Sequence, residues 1–171
     1  MNIYGYCRIS TAKQSIDRQI RNIKAEYPTA HIVQEAYTGT SIFRPEWLKL
    51  YRILRAGDVV VFDSVSRMSR NAEEGFALYE DLYHKGIRLV FLKEHHIDTE
   101  TYKKALSGSI AMTGTNVDFI LKGINEYLMA LAKEQIKLAF EQSEKEVADL
   151  HQRTPVSYTH LRAHETKANL V

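Results

Sequence analysis

GDVVVFDSVSRMSRN, residues 57–71, is the stretch that decides the fold. Its first part, residues 58–63, is an almost continuous apolar run, which is typical of a strand buried on both faces of a parallel sheet. A helix over residues 71–85 is predicted to follow it, and Gly86 is predicted to end that helix. Residues 87–92 (IRLVFL) then supply the next strand, so this region predicts a strand, a helix and a second strand.

The earlier part of the chain repeats this alternation. Residues 2–7 favour a strand, and residues 16–23 carry isoleucines at helical spacing. Residues 31–37 indicate a second strand, and residues 44–54 indicate a helix that begins at its proline. Because right-handed crossovers make such a sheet parallel, the sequence predicts a doubly wound α/β domain, flavodoxin-like, with a mostly parallel sheet of four to five strands.

A long C-terminal helix is predicted after this domain. Residues 116–152 are helical in pattern, and their apolar positions recur at three, four or seven residues: Val117, Ile120, Ile124, Leu128, Leu131 and Leu138. A pattern of this length without a cap predicts a helix that leaves its own domain and packs on a partner. Residues 133–152 alternate charge with sparse apolar positions, so a solvated helix face is the alternative.

The sequence divides into three predicted parts. Residues 1–115 are predicted to form the α/β domain, and residues 116–154 are predicted to form the long helix that packs on a partner. Residues 155–171 (PVSYTHLRAHETKANLV) break the preceding pattern and resemble a translated sequencing-library adapter. We interpret them as a non-native tail and take no functional residue from them.

Composition narrows the class of protein. The chain has 171 residues, of which 44% are hydrophobic, and this length and composition suit one globular domain with an extension. Cys7 is the only cysteine, so no internal disulfide can form, and we expect a cytoplasmic protein. No apolar run approaches the length of a membrane span. The net charge of +2 permits a nucleic-acid partner without requiring one.

Alternate residues of the first strand carry reactive and charged groups. Tyr4, Tyr6, Arg8 and Ser10 occur at every second position and project from one side, whereas Cys7 projects from the other and is expected to be buried. Arg8 and Ser10 fall at the carboxyl edge of the sheet, where open α/β folds bind ligands. The alternative for Ser10 is that it caps the following helix.

Two arginines follow the third strand at the same edge. Arg67 and Arg70 are three residues apart, which on a helical turn puts both guanidinium groups on one face. With Arg8 they could surround Ser10 and make bidentate bonds to the oxygens of a phosphodiester. The alternative is that both are solvated surface arginines.

Three motifs in this order resemble serine recombinases of the resolvase and invertase family. They are YGYCRISTAKQSIDRQ (residues 4–19), TGTSIFRPEWLKLYRIL (residues 38–54) and GDVVVFDSVSRMSRN (residues 57–71). The helix after residue 116 also resembles the interdomain helix of that family, so the resemblance covers roughly the first 154 residues. The resemblance implies a resolvase-like fold with a long C-terminal helix.

The resemblance also implies a reaction and a site. Ser10 would attack a DNA phosphodiester, form a 5′-phosphoserine and release a 3′-hydroxyl, which can rejoin to another phosphoserine without a cofactor or a metal ion. Family members act on double-stranded DNA as dimers that pair into tetramers. The catalytic residues carried over are Ser10, Arg8, Arg67 and Arg70. The substrate-binding residues carried over are Tyr6, Gln14, Gln19 and Thr38, with Asp17 and Asp58 as weaker candidates.

Departures and rival interpretations complete the prediction. Many resolvases and invertases have Asp immediately before the first arginine of the third motif, whereas this chain has Ser66. A recombinase also needs a DNA-binding domain, such as a helix-turn-helix, and we expect that domain to be missing here. The Gly-x-Ser-x-Gly elbow of serine hydrolases is absent around Ser10. A cysteine phosphatase would need an arginine where this chain has Lys13. A non-catalytic flavodoxin-like dimerisation module is the remaining alternative.

Overall fold

A four-stranded parallel sheet forms the centre of the protein, as the sequence predicts. The computed structural model describes residues 1–9, 16–35, 44–107 and 110–168. The strand order is β2, β1, β3, β4, and every neighbouring pair is parallel. The strands are β1 (Ile3–Arg8), β2 (His31–Glu35), β3 (Val59–Phe62) and β4 (Arg88–Phe91).

Helices alternate with the strands and then continue beyond them. They are α1 (Asp17–Glu26), α2 (Pro45–Ile53), α3 (Val65–Met68), α4 (Ala72–His84), α5 (Thr99–Ser107) and α6 (Asp118–Ala168), with a 3₁₀ turn at His95–Ile97. The side chain of Asn71 caps α4 by accepting a hydrogen bond from the Glu74 amide at 2.9 Å. Gly86 follows α4 with a φ of 74°, a left-handed conformation that glycine adopts without strain. This is the predicted end of that helix.

The two faces of the sheet are covered by different helices. Tyr6 and Phe62 point into the larger apolar cluster, which α2, α4 and part of α6 complete. Cys7 and Val61 point into the smaller cluster, which α1 covers through Ile23. The predicted alternation along β1 is therefore confirmed. Cys7 is buried as predicted, and burial raises the pKa of its thiol to about 12.

Strand β4 lies at an edge of the sheet, and side chains cover those of its amides that face away from β3. The Leu89 amide donates to Thr99 Oγ1 at 2.9 Å, and the Phe91 amide donates to Asp98 Oδ1 at 2.7 Å. Such caps remove donors that could otherwise pair with another strand.

Helix α6 is the long helix that the sequence predicts. It packs on α4, α5 and α3 through only part of its length. The helix continues without a break through residues 155–168. The predicted division of the chain into three parts, at residues 115 and 154, stays a prediction. Within the described part of the chain, no helix combines the length and apolar character needed to cross a membrane.

Candidate active site

The carboxyl ends of β1 and β3 meet at the middle of the sheet. These strands are neighbours, but the chain leaves β1 towards β2 on one side and leaves β3 towards β4 on the other. Open α/β sheets bind ligands at such a point because the departing loops leave a crevice between them. Arg8 ends β1 at this edge, while Arg67 and Arg70 follow β3.

Arg8 is held by the chain that follows β3. Its Nε donates to the carbonyl oxygen of Arg67 at 2.8 Å, and its Nη2 donates to that of Ser66 at 2.5 Å. Burial lowers the pKa of Arg8 to about 9, with further lowering from the charges of Arg44 and Arg70. The guanidinium is therefore still charged at neutral pH, in surroundings that favour an anionic ligand.

Arg67 and Arg70 reach this site by a route that differs from the prediction. Helix α3 ends at Met68 and Ser69 is extended, so the two arginines do not share a helical face. Arg67 instead reaches back, and its Nη1 donates to the carbonyl oxygen of Arg8 at 3.4 Å. Arg70 comes close enough to Arg8 to lower the pKa of that group. The prediction of a shared helical face is wrong, because the helix is only one turn long.

Gln19 and Tyr6 support the end of β1. The Gln19 Nε2 donates to the carbonyl oxygen of Arg8 at 2.8 Å, and the Arg8 amide donates to Gln19 Oε1 at 3.2 Å. The Tyr6 ring is fully buried, and its hydroxyl donates to Glu35 Oε2 at 3.4 Å. Burial raises the pKa of Tyr6, and the charge of Glu35 raises it further.

Sequence reasoning missed three residues of this site. Arg44 Nη1 donates to the Met68 carbonyl oxygen at 2.5 Å, which brings α2 to the third motif. Glu35 is buried at the end of β2 and accepts from the amide of Trp47 at 3.0 Å. Asp63 is fully buried directly after β3. The available signal was their position, because Glu35 ends β2, Asp63 follows β3 and Arg44 precedes α2.

Several predicted residues lie elsewhere. Ser10, Gln14 and Thr38 lie outside the described residues, so their predicted roles stay predictions. Asp58 lies at the opposite edge of the sheet, where it accepts from the amides of Asn2 at 2.8 Å and Arg55 at 3.0 Å. Asp58 is therefore part of the fold at the amino end of β3 and is remote from the arginines.

The electrostatics of the crevice suit an anion. Three further arginines lie within electrostatic reach of Arg8, because the charges of Arg44, Arg70 and Arg67 add to burial in lowering the pKa of Arg8. Guanidinium groups bind phosphate oxygens in a planar, bidentate manner. Among the described residues, no group of three or more His, Cys, Asp or Glu side chains could hold a metal ion.

Several known proteins are similar to this chain. The family model described as Resolvase, N terminal domain, matches residues 3–146. The Transposon Tn21 resolvase of Escherichia coli is 27% identical over 155 residues, covering 87% of this chain and 81% of that protein. A resolvase of Clostridium perfringens (strain 13 / Type A) is 31% identical over 99 residues, covering 57% of this chain and 52% of that protein. The solved structure of a serine recombinase from Sulfolobus solfataricus is 19% identical, covers 74% of this chain and 97% of that chain, and has a TM-score of 0.46.

Proposed function

This chain belongs to the resolvase and invertase family of serine site-specific recombinases, and on that premise we propose that Ser10 and the surrounding arginines cut and rejoin double-stranded DNA. The observation that carries this proposal is the convergence of Arg8, Arg67 and Arg70 at the carboxyl edge. Arg8 ends β1 only two residues before Ser10.

The proposed reaction is a transesterification at phosphorus. The Ser10 Oγ attacks a DNA phosphate, the serine oxygen to phosphorus bond forms, and the bond from phosphorus to the 3′ oxygen breaks. The serine hydroxyl gives up its proton, and the departing 3′ oxygen takes one up. The product is a 5′-phosphoserine, which retains the phosphoester bond so that a 3′-hydroxyl can later reverse the step.

The arginines would stabilise the charge that develops on phosphorus. Arg8 is fixed by two backbone carbonyl oxygens, so its position does not have to change when charge develops. Removing one such preorganised donor typically costs about 3–4 kcal/mol of barrier, which is more than a hundredfold in rate. Ser66, in the place of an aspartate in many relatives, has its Oγ 2.9 Å from Ser64 Oγ. It offers no carboxylate for proton transfer.

The proposal extends to partners and location. We propose a homodimer that assembles to a tetramer, because α6 exposes apolar side chains that its own domain leaves uncovered, such as Phe119 and Ile120. We also propose that a separate DNA-binding domain supplies site recognition, and that the protein acts in the cytoplasm. The catalytic domain would then comprise residues 1–115, and the connecting helix residues 116–154.

Covalent trapping tests the nucleophile. The intact protein, including the DNA-binding domain proposed above, is incubated with a double-stranded DNA library of randomised sequence and denatured. Protein-linked DNA is then captured and its blocked end is mapped. We expect an adduct at a 5′ phosphate that disappears in Ser10→Ala and persists in Ser143→Ala, whose serine lies on α6.

Each other result is equally informative. An adduct that persists in Ser10→Ala would show that another residue is the nucleophile. Absence of any adduct in the unmodified protein, together with self-association, would favour the non-catalytic dimerisation module.

A further inference from the structure

Helix α1 is tied to two strands at the carboxyl edge of the sheet. Gln19 binds the end of β1 through two hydrogen bonds to the backbone of Arg8. Asn22 lies three residues further along α1, hence on the same side of the helix, and its Nδ2 donates to Asp63 Oδ1 at 2.7 Å. The helix therefore bridges β1 and the residue that follows β3.

Asp63 is an unusual residue for this place. Its carboxylate is fully buried, although aspartate is seldom buried without strong partners. Oδ1 accepts from Asn22, whereas Oδ2 has no hydrogen-bond partner among the described residues and lies 3.6 Å from Lys93 Nζ. Keeping a charged group in such a position costs free energy, which its hydrogen bond with Asn22 and the nearby Lys93 help to offset.

The position of this carboxylate connects it to the arginine site. The same carbonyl oxygen of Arg8 accepts from Gln19 Nε2 and from Arg67 Nη1. The charge of Asp63 opposes the lowering of the Arg67 pKa by burial, which places the carboxylate within electrostatic reach of that guanidinium. Asp63 is thus bonded to the helix that carries Gln19 and lies within electrostatic reach of Arg67.

We propose that Asp63 is a positioning residue for strand cleavage, because its hydrogen bond with Asn22 fixes α1, and with it the end of the segment that bears Ser10, against β3. This inference rests on the proposed function of Ser10. Residues 9–16 join Arg8 to α1, so both ends of the serine segment are set by the ties at Gln19 and Asn22. Movement of α1 would change the distance between the nucleophile and the arginines.

The test compares variants on the two sides of the hydrogen bond. Asp63→Ala removes the acceptor, Asn22→Ala removes the donor, and Asp63→Asn keeps an acceptor oxygen in the same place. Asp58→Ala is the matched control, since Asp58 is an equally buried carboxylate at the other end of β3. Single-turnover formation of the covalent adduct and the Kd for DNA are both measured with the randomised DNA library, well below the thermal midpoint of each variant.

We expect a loss of rate without a loss of DNA binding. Asp63→Ala and Asn22→Ala should slow adduct formation at saturating DNA by about tenfold to a hundredfold, as misplacement of a reacting group does. Asp63→Asn should recover most of this rate. The double variant, which combines Asp63→Ala with Asn22→Ala, should be no slower than either alanine variant alone. Asp58→Ala should lower the thermal midpoint and leave the rate of the folded protein unchanged.

Three results would overturn the inference. Normal rates in both Asp63→Ala and Asn22→Ala, with Ser10→Ala inactive, would remove the positioning role and leave the proposed function intact. Equal rate losses in Asp63→Ala and Asp58→Ala would show a general effect on the fold. If the unmodified protein forms no adduct, the proposed function fails and this inference fails with it. Should Asp63→Ala not fold, Asn22→Ala decides alone, because Asn22 is only partly buried.

Discussion

Two parts of helix α6 have similar apolar sequences and opposite surroundings. In the first part, residues 118–131, Phe119 is 90% exposed and Ile120 is 65% exposed. In the second part, residues 132–144, Ile136 and Phe140 are each only 2% exposed. The apolar spacing alone does not separate these parts, because it records which positions share a side of the helix and not what covers that side. The second part stabilises the domain, and we propose that the first part stabilises an assembly.

Truncation of Phe140 should have the largest effect. Its ring lies in the main apolar cluster over Gly75 of α4, so Phe140→Ala should lower the free energy of unfolding by about 3–5 kcal/mol. Phe119→Ala, in the exposed part of the same helix, should change it by less than about 0.5 kcal/mol. Urea unfolding of both variants measures the difference, and equal losses would show that the exposed part is covered within one molecule.

Polar substitution in the first part should affect assembly. Ile120→Ser combined with Ile124→Ser should weaken self-association by more than about a hundredfold, because each buried isoleucine contributes about 1.5–3 kcal/mol. The thermal midpoint of the dissociated chain should stay unchanged. Sedimentation velocity over a concentration series measures the effect, and Lys122→Ser serves as the control. An unchanged association constant would place the interface elsewhere.

Two glycines offer a test with opposite signs. A Cβ added at Gly75 would lie 2.4 Å from Phe140 Cδ1, whereas one added at Gly123 meets nothing within 4 Å. Gly75→Ala should therefore destabilise the protein by about 1–3 kcal/mol through overpacking. Gly123→Ala should stabilise α6 by about 1 kcal/mol, since alanine is the better helix former. Thermal unfolding reports both, and two changes of the same sign would contradict the difference in packing.

The smallest expected effect is at the end of the packed part. Glu144 Oε2 accepts from the Ala72 amide at 3.2 Å, so a carboxylate lies at the start of α4. Glu144→Gln should cost about 0.3–1 kcal/mol through loss of the favourable charge at that helix terminus. The exposed Glu146 provides the control as Glu146→Gln. If raising the salt concentration leaves the difference between the two variants unchanged, the charge is not its cause.

Local sequence was sufficient for the elements and their faces. The apolar run before Asp63 predicted β3, Gly86 predicted the end of α4, and the alternation of Tyr6 with Cys7 predicted which side chains share a face of β1. These features depend on residues that are neighbours along the chain, so a short stretch of sequence is enough to predict them. The family resemblance rested on the same local motifs, and the family match confirms it.

The sequence by itself thus determined the α/β alternation, the long helix and the arginines that follow the strands. Only the tertiary structure decided that Arg44 lies within electrostatic reach of Arg8 and that α3 ends before Arg70. It also decided that Asp63 binds Asn22, which is 41 residues away along the chain. It also decided which part of α6 is covered. The physical reason is that hydrogen bonds and burial between distant residues depend on how strands and helices pack, and packing leaves no local period in the sequence.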